Sequence, residues 1–246
     1  MDIVKFTLGG KFAFFKKPDV NSYYYFTYGN VHKIALLGIF GAILGYSGYN
    51  KMSFEKKYNN KNSDFPEFYD KLKDLKIAIV PHKVSISKKV QIFNNSVGYA
   101  SKELGGNLII KEQWLENPSW DIYICLDCDE ARKISEALLN SKYVYLPYLG
   151  KNDHLANITD VCFIYNAIKV DSATNIDSLF DKDFVEFSNQ MPKNKKLFKY
   201  EEFLPYSFET VTNKYEFKCF IYTNAVINTT SDALVYKVEE KNISFF

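Results

Sequence analysis

The sequence predicts an α+β chain: its first 170 residues run strand, helix, strand, basic hairpin, strand, helix, strand, and 171–246 form a β-rich C-terminal region. Three observations predict it. Alternating apolar residues mark strands at Val4, Phe6 and Leu8, and again at Trp120, Ile122 and Ile124. An unbroken apolar and glycine run from Ile34 to Tyr46 marks a helix. Runs of Tyr, Phe, Val and Ile over 215–227 and 233–238 mark the β-rich end.

Taken in order, residues 3–16 read as one strand, with Gly9-Gly10 permitting a bulge before Phe12 and Phe14 resume the alternation. An aromatic loop follows over 19–30. The window 31–48 reads as a buried helix, because thirteen consecutive apolar or glycine residues fall short of the about 20 that span a bilayer. Gly38, Gly41, Gly45 and Gly48, with Ala35 and Ala42, fall on one helical face. Each glycine costs about 1 kcal/mol against alanine, so the face predicts close approach of another backbone. Residues 50–64, rich in Lys and Asn, read as a solvated loop. A short helix is expected from Phe65 to Leu75 with Pro66 in its first turn, and a short strand from Ile77 to Val80. The stretch 81–113 reads as an extended basic hairpin. The strand at 120–126 leads into a helix capped by Asp127 or Asp129 and ending near Asn140, with Ala131, Ile134 and Leu138 buried. After a turn with Pro147 and Gly150 come a strand at 158–170 and an acidic stretch at 171–186. This order matches a ferredoxin-like β-α-β-β-α-β core, the platform of RNA-recognition modules, with a long insertion and a β-rich extension.

Composition narrows the function. The 246 residues are 47% hydrophobic and 17% aromatic, too apolar for a disordered chain. With 31 Lys+Arg against 29 Asp+Glu, any nucleic-acid surface must be local. Arg132 is the one arginine, so recognition by several guanidinium forks is excluded, while lysines remain as point charges for phosphates. The start lacks the pattern of a secretory signal, and four cysteines make no disulfide framework, so a cytoplasmic chain with reduced thiols is expected. Cys125-Leu-Asp-Cys128 is a single knuckle where a structural zinc site uses four ligands. His32, His82 and His154 fall in no nucleophile or metal motif, and there is neither a P-loop nor a GxGxxG. No cofactor, no metal and no catalytic residue are expected.

The lysines are unevenly placed. Residues 1–33 and 81–113 each hold five Lys against two acids, interleaved with Phe12, Phe14, Tyr23, Phe93, Tyr99 and Trp114. Lysines on phosphates with aromatic stacking is the chemistry of single-stranded nucleic-acid binding.

Phe6-Thr7-Leu8-Gly9-Gly10-Lys11-Phe12-Ala13 together with ALLGIFGAILG at 35–45 resembles the CRISPR-associated Cas-five family of the RAMP superfamily. Gln113-Trp114 before WDIYICL at 120–126, and YVYLPYLGKNDHLANI at 143–158, fit the same family in order, so the resemblance covers about residues 1–160. It implies a non-catalytic subunit of a type I Cascade surveillance complex, of subtype I-B. Such a subunit holds the 5′ handle of the CRISPR RNA with a thumb-like hairpin and caps a filament of backbone subunits. Beside the backbone subunit, the large subunit and target DNA reached through the complex are implied partners, with no membrane. The ferredoxin-like domain would cover 1–170, with the thumb at about 83–113. The implied RNA-binding residues are Lys11, Lys16, Lys17, Lys33, Gly38, Gly41, Gly45 and Tyr46, and on the hairpin Lys83, Lys88, Lys89, Lys102 and Lys111. Bases would stack on Tyr46, Tyr99 or Trp114. One branch of the family, type I-C, cuts precursor RNA without metal, using a tyrosine, a lysine and an adjacent histidine. Tyr46 matches the tyrosine, but Lys111 is followed by Glu112, and His82-Lys83 is in reverse order. The endoribonuclease is therefore the second reading, and a membrane-associated protein using 34–46 the third.

Overall fold

The structure, a computed structural model, describes residues 1–19, 23–60, 62–94, 98, 102–104, 106, 108–188 and 196–246. It is a mixed α+β chain. β1 (Ile3–Gly9) lies at the centre of an antiparallel sheet of order β4-β7-β1-β8, where β4 is Ile77–Pro81, β7 Ser119–Cys125 and β8 Asn157–Ile164. β1 pairs with β7 from Ile3↔Cys125 to Gly9↔Ser119, and with β8 from Ile3↔Ile164 to Gly9↔Asn157. Alternation gives the sheet two faces. Val4, Phe6, Leu8, Trp120, Ile122 and Ile124 enter the main core beneath α1 (Lys33–Leu44) and α4 (Asp129–Leu139). Ile3, Ala78, Val80, Tyr123 and Cys125 point the other way and are covered by Val238, Ile243 and Phe245.

The expected strand at 3–16 divides. β1 stops at Gly9, and β2 (Phe12–Ala13) pairs with β6 (Ile109–Glu116) instead. Gly9-Gly10 is thus a switch between sheets and not a bulge: a Cβ on Gly10 would lie 2.8 Å from Leu149 Cδ1 and 3.0 Å from the Leu155 carbonyl. β3 (Tyr24–Tyr25) adds to β6 in parallel.

α1 begins at His32, whose Nδ1 accepts from the Ala35 amide at 3.2 Å, and ends at Gly45 in the left-handed region (φ 76°). The expected four-glycine face does not form. Gly45 terminates the helix and Gly48 is the N-cap of the next one, while the backbone of Val144 and Tyr145 donates to the Ile43 and Ala42 carbonyls at the end of α1. The tightest approach falls at Gly41, where a Cβ would sit 2.6 Å from Phe68 Cβ on α3 (Glu67–Leu72), and one on Gly45 would meet Val144 Cγ1 at 2.9 Å. Residues read as a solvated loop form α2 (Tyr49–Asn59), which buries no residue and therefore has no apolar periodicity to betray it. Lys56 and Lys57 in its last turn suit the helix dipole. α4 is capped by Cys128, without a side-chain bond, and not by Asp127 or Asp129; Asp129 lies inside its first turn.

β5 (Lys88–Asn94) and β6 form the expected hairpin. The strand expected at 158–170 ends at Ile164, and β9 (Ile168–Lys169) joins β15 (Leu234–Val238) and β16 (Lys241–Phe245). Further strands are β10 (Phe180–Asp181), β11 (Val185–Phe187), β12 (Lys199–Phe208), β13 (Tyr215–Thr223) and β14 (Ile227–Thr229). Among the described residues no helix is long and apolar enough to cross a membrane.

Candidate nucleic-acid interface

α1 turns Ala35, Gly38 and Ala42 toward a groove of about 460 Å³, walled by Phe14, Phe15, Tyr49, Tyr148, Phe208 and Tyr215. Gly38 keeps its floor open, since a Cβ there would meet nothing within 4 Å. Phe208 and Tyr215, paired across β12 and β13, stack at 5.7 Å and 10° to form one rigid wall. Tyr49 and Tyr148 stand at the rim, 44% and 45% exposed. Lys16 lines the same groove with its ammonium 3.9 Å from the Tyr25 ring. The groove thus offers flat aromatic surface, a shallow floor and one cation.

Tyr46 does not reach this groove. Its hydroxyl donates to the Glu130 carboxylate, and Lys71 lies 4.2 Å over its ring. Burial, then the Glu130 hydrogen bond and charge, push its phenol above the ordinary tyrosine range. Ser47 beside it donates through Oγ (2.7 Å) and backbone N–H (3.1 Å) to Glu67, which also pairs with Lys71. Those bonds from Ser47 and Lys71 pull the Glu67 carboxyl down to about 2. Gly41 and Gly45 are spent on packing and helix termination.

On the hairpin, Lys88 and Lys89 face opposite ways. Lys88 shares the outer face with Val90 and Ile92, 49% and 55% exposed, and with Lys111 across the register. Desolvation and nearby Lys17 lower the Lys88 ammonium against the opposing pull of Glu202. Lys111 lies 4.9 Å over the Tyr23 ring. Lys83 is exposed in the turn before β5, and Lys102 is exposed between the two hairpin strands. Tyr99 lies outside the described residues.

The inner face gathers positive charge. Lys89 stands 4.1 Å from the Phe12 ring and 5.2 Å from Trp114, Lys11 is 5.6 Å from Phe12, and Lys151 is 5.4 Å from Trp114. One carboxylate answers them: Glu112 takes Lys151 at 2.9 Å and also the Trp114 indole N–H at 2.8 Å. Among the described residues Lys11 and Lys89 have no acidic partner. His154, buried against Trp114 at 4.3 Å, has no hydrogen-bond partner on either ring nitrogen, and burial lowers its pKa below the usual histidine range.

Three residues expected to touch RNA are placed otherwise. Trp114 is 6% exposed, wedged between Phe12, Phe93 and His154, because its side chain points to the inner face of β6. Lys33 is 7% exposed, 4.7 Å over the Tyr206 ring, and burial holds its ammonium down at about 8. Lys17 is neutralised by Glu202 at 2.5 Å. Conversely, the structure adds Tyr49 and Tyr148 at the rim of the candidate groove and Lys151 on the inner face of the hairpin, none of them singled out in the sequence. Lys151 carried a signal, following the Pro147-Tyr148-Leu149-Gly150 turn directly. Tyr49 carried none, falling between the window 31–48 read as helix and the loop read at 50–64.

No protein-family model matches the chain, and no curated protein sequence is significantly similar to it. Among solved structures it is similar to a chain of a "CRISPR RNA-guided surveillance complex" at 12% identity and a TM-score of 0.49, covering 92% of this chain and 90% of that one. A CRISPR protein from Archaeoglobus fulgidus is similar at 12% identity and a TM-score of 0.49, with 99% and 98% covered. A further Cas protein is similar at 10% identity and 0.45, with 91% and 94% covered.

Proposed function

We propose that this chain is a non-catalytic RNA-binding subunit of a type I CRISPR surveillance complex, of the Cas-five kind and of subtype I-B, holding the 5′ handle of the guide RNA. In this reading residues 1–170 are a ferredoxin-like domain, the β5–β6 hairpin is its thumb, and 171–246 form a separate β-rich region. It caps a filament of backbone subunits, lies beside the large subunit, meets target DNA through the complex, and works in the cytoplasm.

The observation that carries the reading is the inner face of the hairpin, where Lys11, Lys89 and Lys151 converge on Phe12 and Trp114 with one carboxylate between them. Like charges gathered on one face repel unless an anion joins them, and a phosphate backbone is such an anion. The groove beside α1 supplies stacking for an adjacent base through Tyr49 and Tyr148. The reading of RNA without cutting it is supported by Tyr46, whose raised phenol is ill suited to take a proton from a 2′-hydroxyl.

The test is the salt dependence of repeat-RNA binding. Lys11→Ala with Lys89→Ala should reduce the slope of log K against log[salt] by about 1.4, about 0.7 per lysine on a single strand. The loss should be similar for many sequences, because ammonium groups read no base. An unchanged slope would remove the lysine cluster from the interface.

A further inference from the structure

The open half of the second sheet face carries a linked serine, histidine and aspartate that the RNA-binding reading does not use. Ser119 and Asp121 lie two apart on β7, on the same side of the strand, opposite Gly9 and Thr7 of β1. His82 follows β4, and its backbone N–H donates to the Ser119 carbonyl at 3.1 Å, which lays its ring across both side chains. Nδ1 lies 2.9 Å from Ser119 Oγ, and Nε2 lies 2.8 Å from Asp121 Oδ1. Asp121 is held in turn by the Thr7 hydroxyl at 2.9 Å and by Lys5 at 3.2 Å.

The proton positions follow from the chemistry of these groups. Burial alone would raise the Asp121 carboxyl, but the hydrogen bonds from His82 and Thr7 and the Lys5 charge bring it below the usual range. An ionised carboxylate only accepts, so Nε2 must carry the histidine's hydrogen. In the tautomer with its hydrogen on Nε2, the ring presents the Nδ1 lone pair to Ser119, whose hydroxyl donates. Serine is thereby set against a base that is itself oriented by an anion, the requirement for an activated hydroxyl nucleophile.

Access favours the same conclusion. Ser119 lines an open cleft of about 500 Å³ together with Gly9, Gly10, Lys11, Asn117 and Asn157. A side chain at Gly9 would put its Cβ 3.6 Å from Ser119 Oγ, so glycine there leaves the nucleophile uncovered. Lys11, Asn117 and Asn157 line the same cleft and are the residues of its wall that carry hydrogen-bond donors.

We propose that Ser119 is the nucleophile of a second, hydrolytic site for small carboxylic esters, with His82 as base and Asp121 as the residue that positions it. Oγ attacks the ester carbonyl carbon while its proton passes to Nδ1. The bond to the leaving alkoxide breaks as that oxygen takes the proton from His82. Water, deprotonated by His82, then attacks the acyl-serine ester, releasing the carboxylic acid and restoring the Ser119 hydroxyl.

The experiment treats the full chain with an alkyl fluorophosphonate, which exchanges its P–F bond for a P–Oγ bond and releases fluoride, and maps the adduct by mass spectrometry. Hydrolysis of 4-nitrophenyl acetate is followed in parallel. Native protein should label at Ser119 about 100-fold faster than the urea-unfolded chain, in keeping with general-base assistance. Ser119→Ala should abolish both signals. His82→Gln, at a side chain 39% exposed and so outside the core, should lower the labelling rate at least tenfold with the fold retained by circular dichroism. Asp121→Asn should do the same, because its amide N–H can donate to Nε2 and drive the hydrogen onto Nδ1. No adduct at Ser119 in the native chain, or equal labelling in folded His82→Gln, would overturn the assignment.

Discussion

α1 and α2 are consecutive, of nearly equal length at 12 and 11 residues, and both reach the candidate groove, one as its floor and one through Tyr49. Yet α1 buries eight of its residues and α2 none. α1 is capped by a buried histidine that bonds the Ala35 amide, whereas α2 starts at Gly48 with no side-chain cap. One wall of the groove is therefore part of the core, and the other comes from a helix that buries no residue and meets the core through Tyr49 against Phe208. Few buried contacts are what lower the cost of local opening, so the rim at α2 is expected to open more readily than the floor at α1.

The largest test of this contrast concerns the buried cap. His32 is held neutral by burial, its pKa lowered to about 3. As pH falls below the unfolded value near 6.5, the unfolded chain binds the proton first, so stability is lost progressively down to about 3. The full effect is roughly 5 kcal/mol. His32→Asn keeps a capping acceptor without the titration, and urea melts between pH 6.5 and 3 should show the variant retaining most of what the parent loses. Parallel pH curves would show that protonation at His32 does not oppose folding.

Gly41→Ala should cost about 1–3 kcal/mol in a denaturant melt, because the new methyl meets the Phe68 Cβ and α3 must shift. Tyr49→Ala should weaken repeat-RNA binding by about 1–3 kcal/mol, the worth of one stacked base, and leave stability nearly unchanged. Equal affinity of Tyr49→Ala and parent would leave the rim without a role. Gly38→Ala, with open space before it, should stabilise α1 by up to about 1 kcal/mol while narrowing the groove. The smallest global effect belongs to Lys56→Pro. It should remove α2's helical circular dichroism yet move the global unfolding free energy by less than about 0.5 kcal/mol. A concerted loss of stability would mean that α2 is coupled to the core after all.

The same contrast explains what was legible in the sequence. α1, β1, β7 and the hairpin announce themselves because burial imposes a period on their side chains. α2 lies wholly at the surface, so its Lys and Asn residues read as loop. Side-chain direction was harder still. Trp114 was legible as an aromatic among lysines, but only the register Lys89↔Trp114 puts it on the packed face. The lysines divide by partner in the same way: Glu202 lies 185 positions from Lys17, and no local pattern links the two. Ser119, His82 and Asp121 meet because β4 runs beside β7, a juxtaposition that a span of 37 residues conceals.

The central place of β1 fixes the order in which the chain can fold as it is made. Its neighbours in the sheet, β7 and β8, begin at Ser119 and Asn157, so β1 is made more than a hundred residues ahead of either partner. At roughly 5–20 residues per second, more than a hundred intervening residues keep β1 waiting about 6–25 s. Throughout that interval Val4, Phe6 and Leu8 trail from the ribosome unpaired, a strand edge open to chaperones or to neighbouring nascent chains. A ribosome halted before Ser119 releases a fragment in which β1 has neither of its two partners.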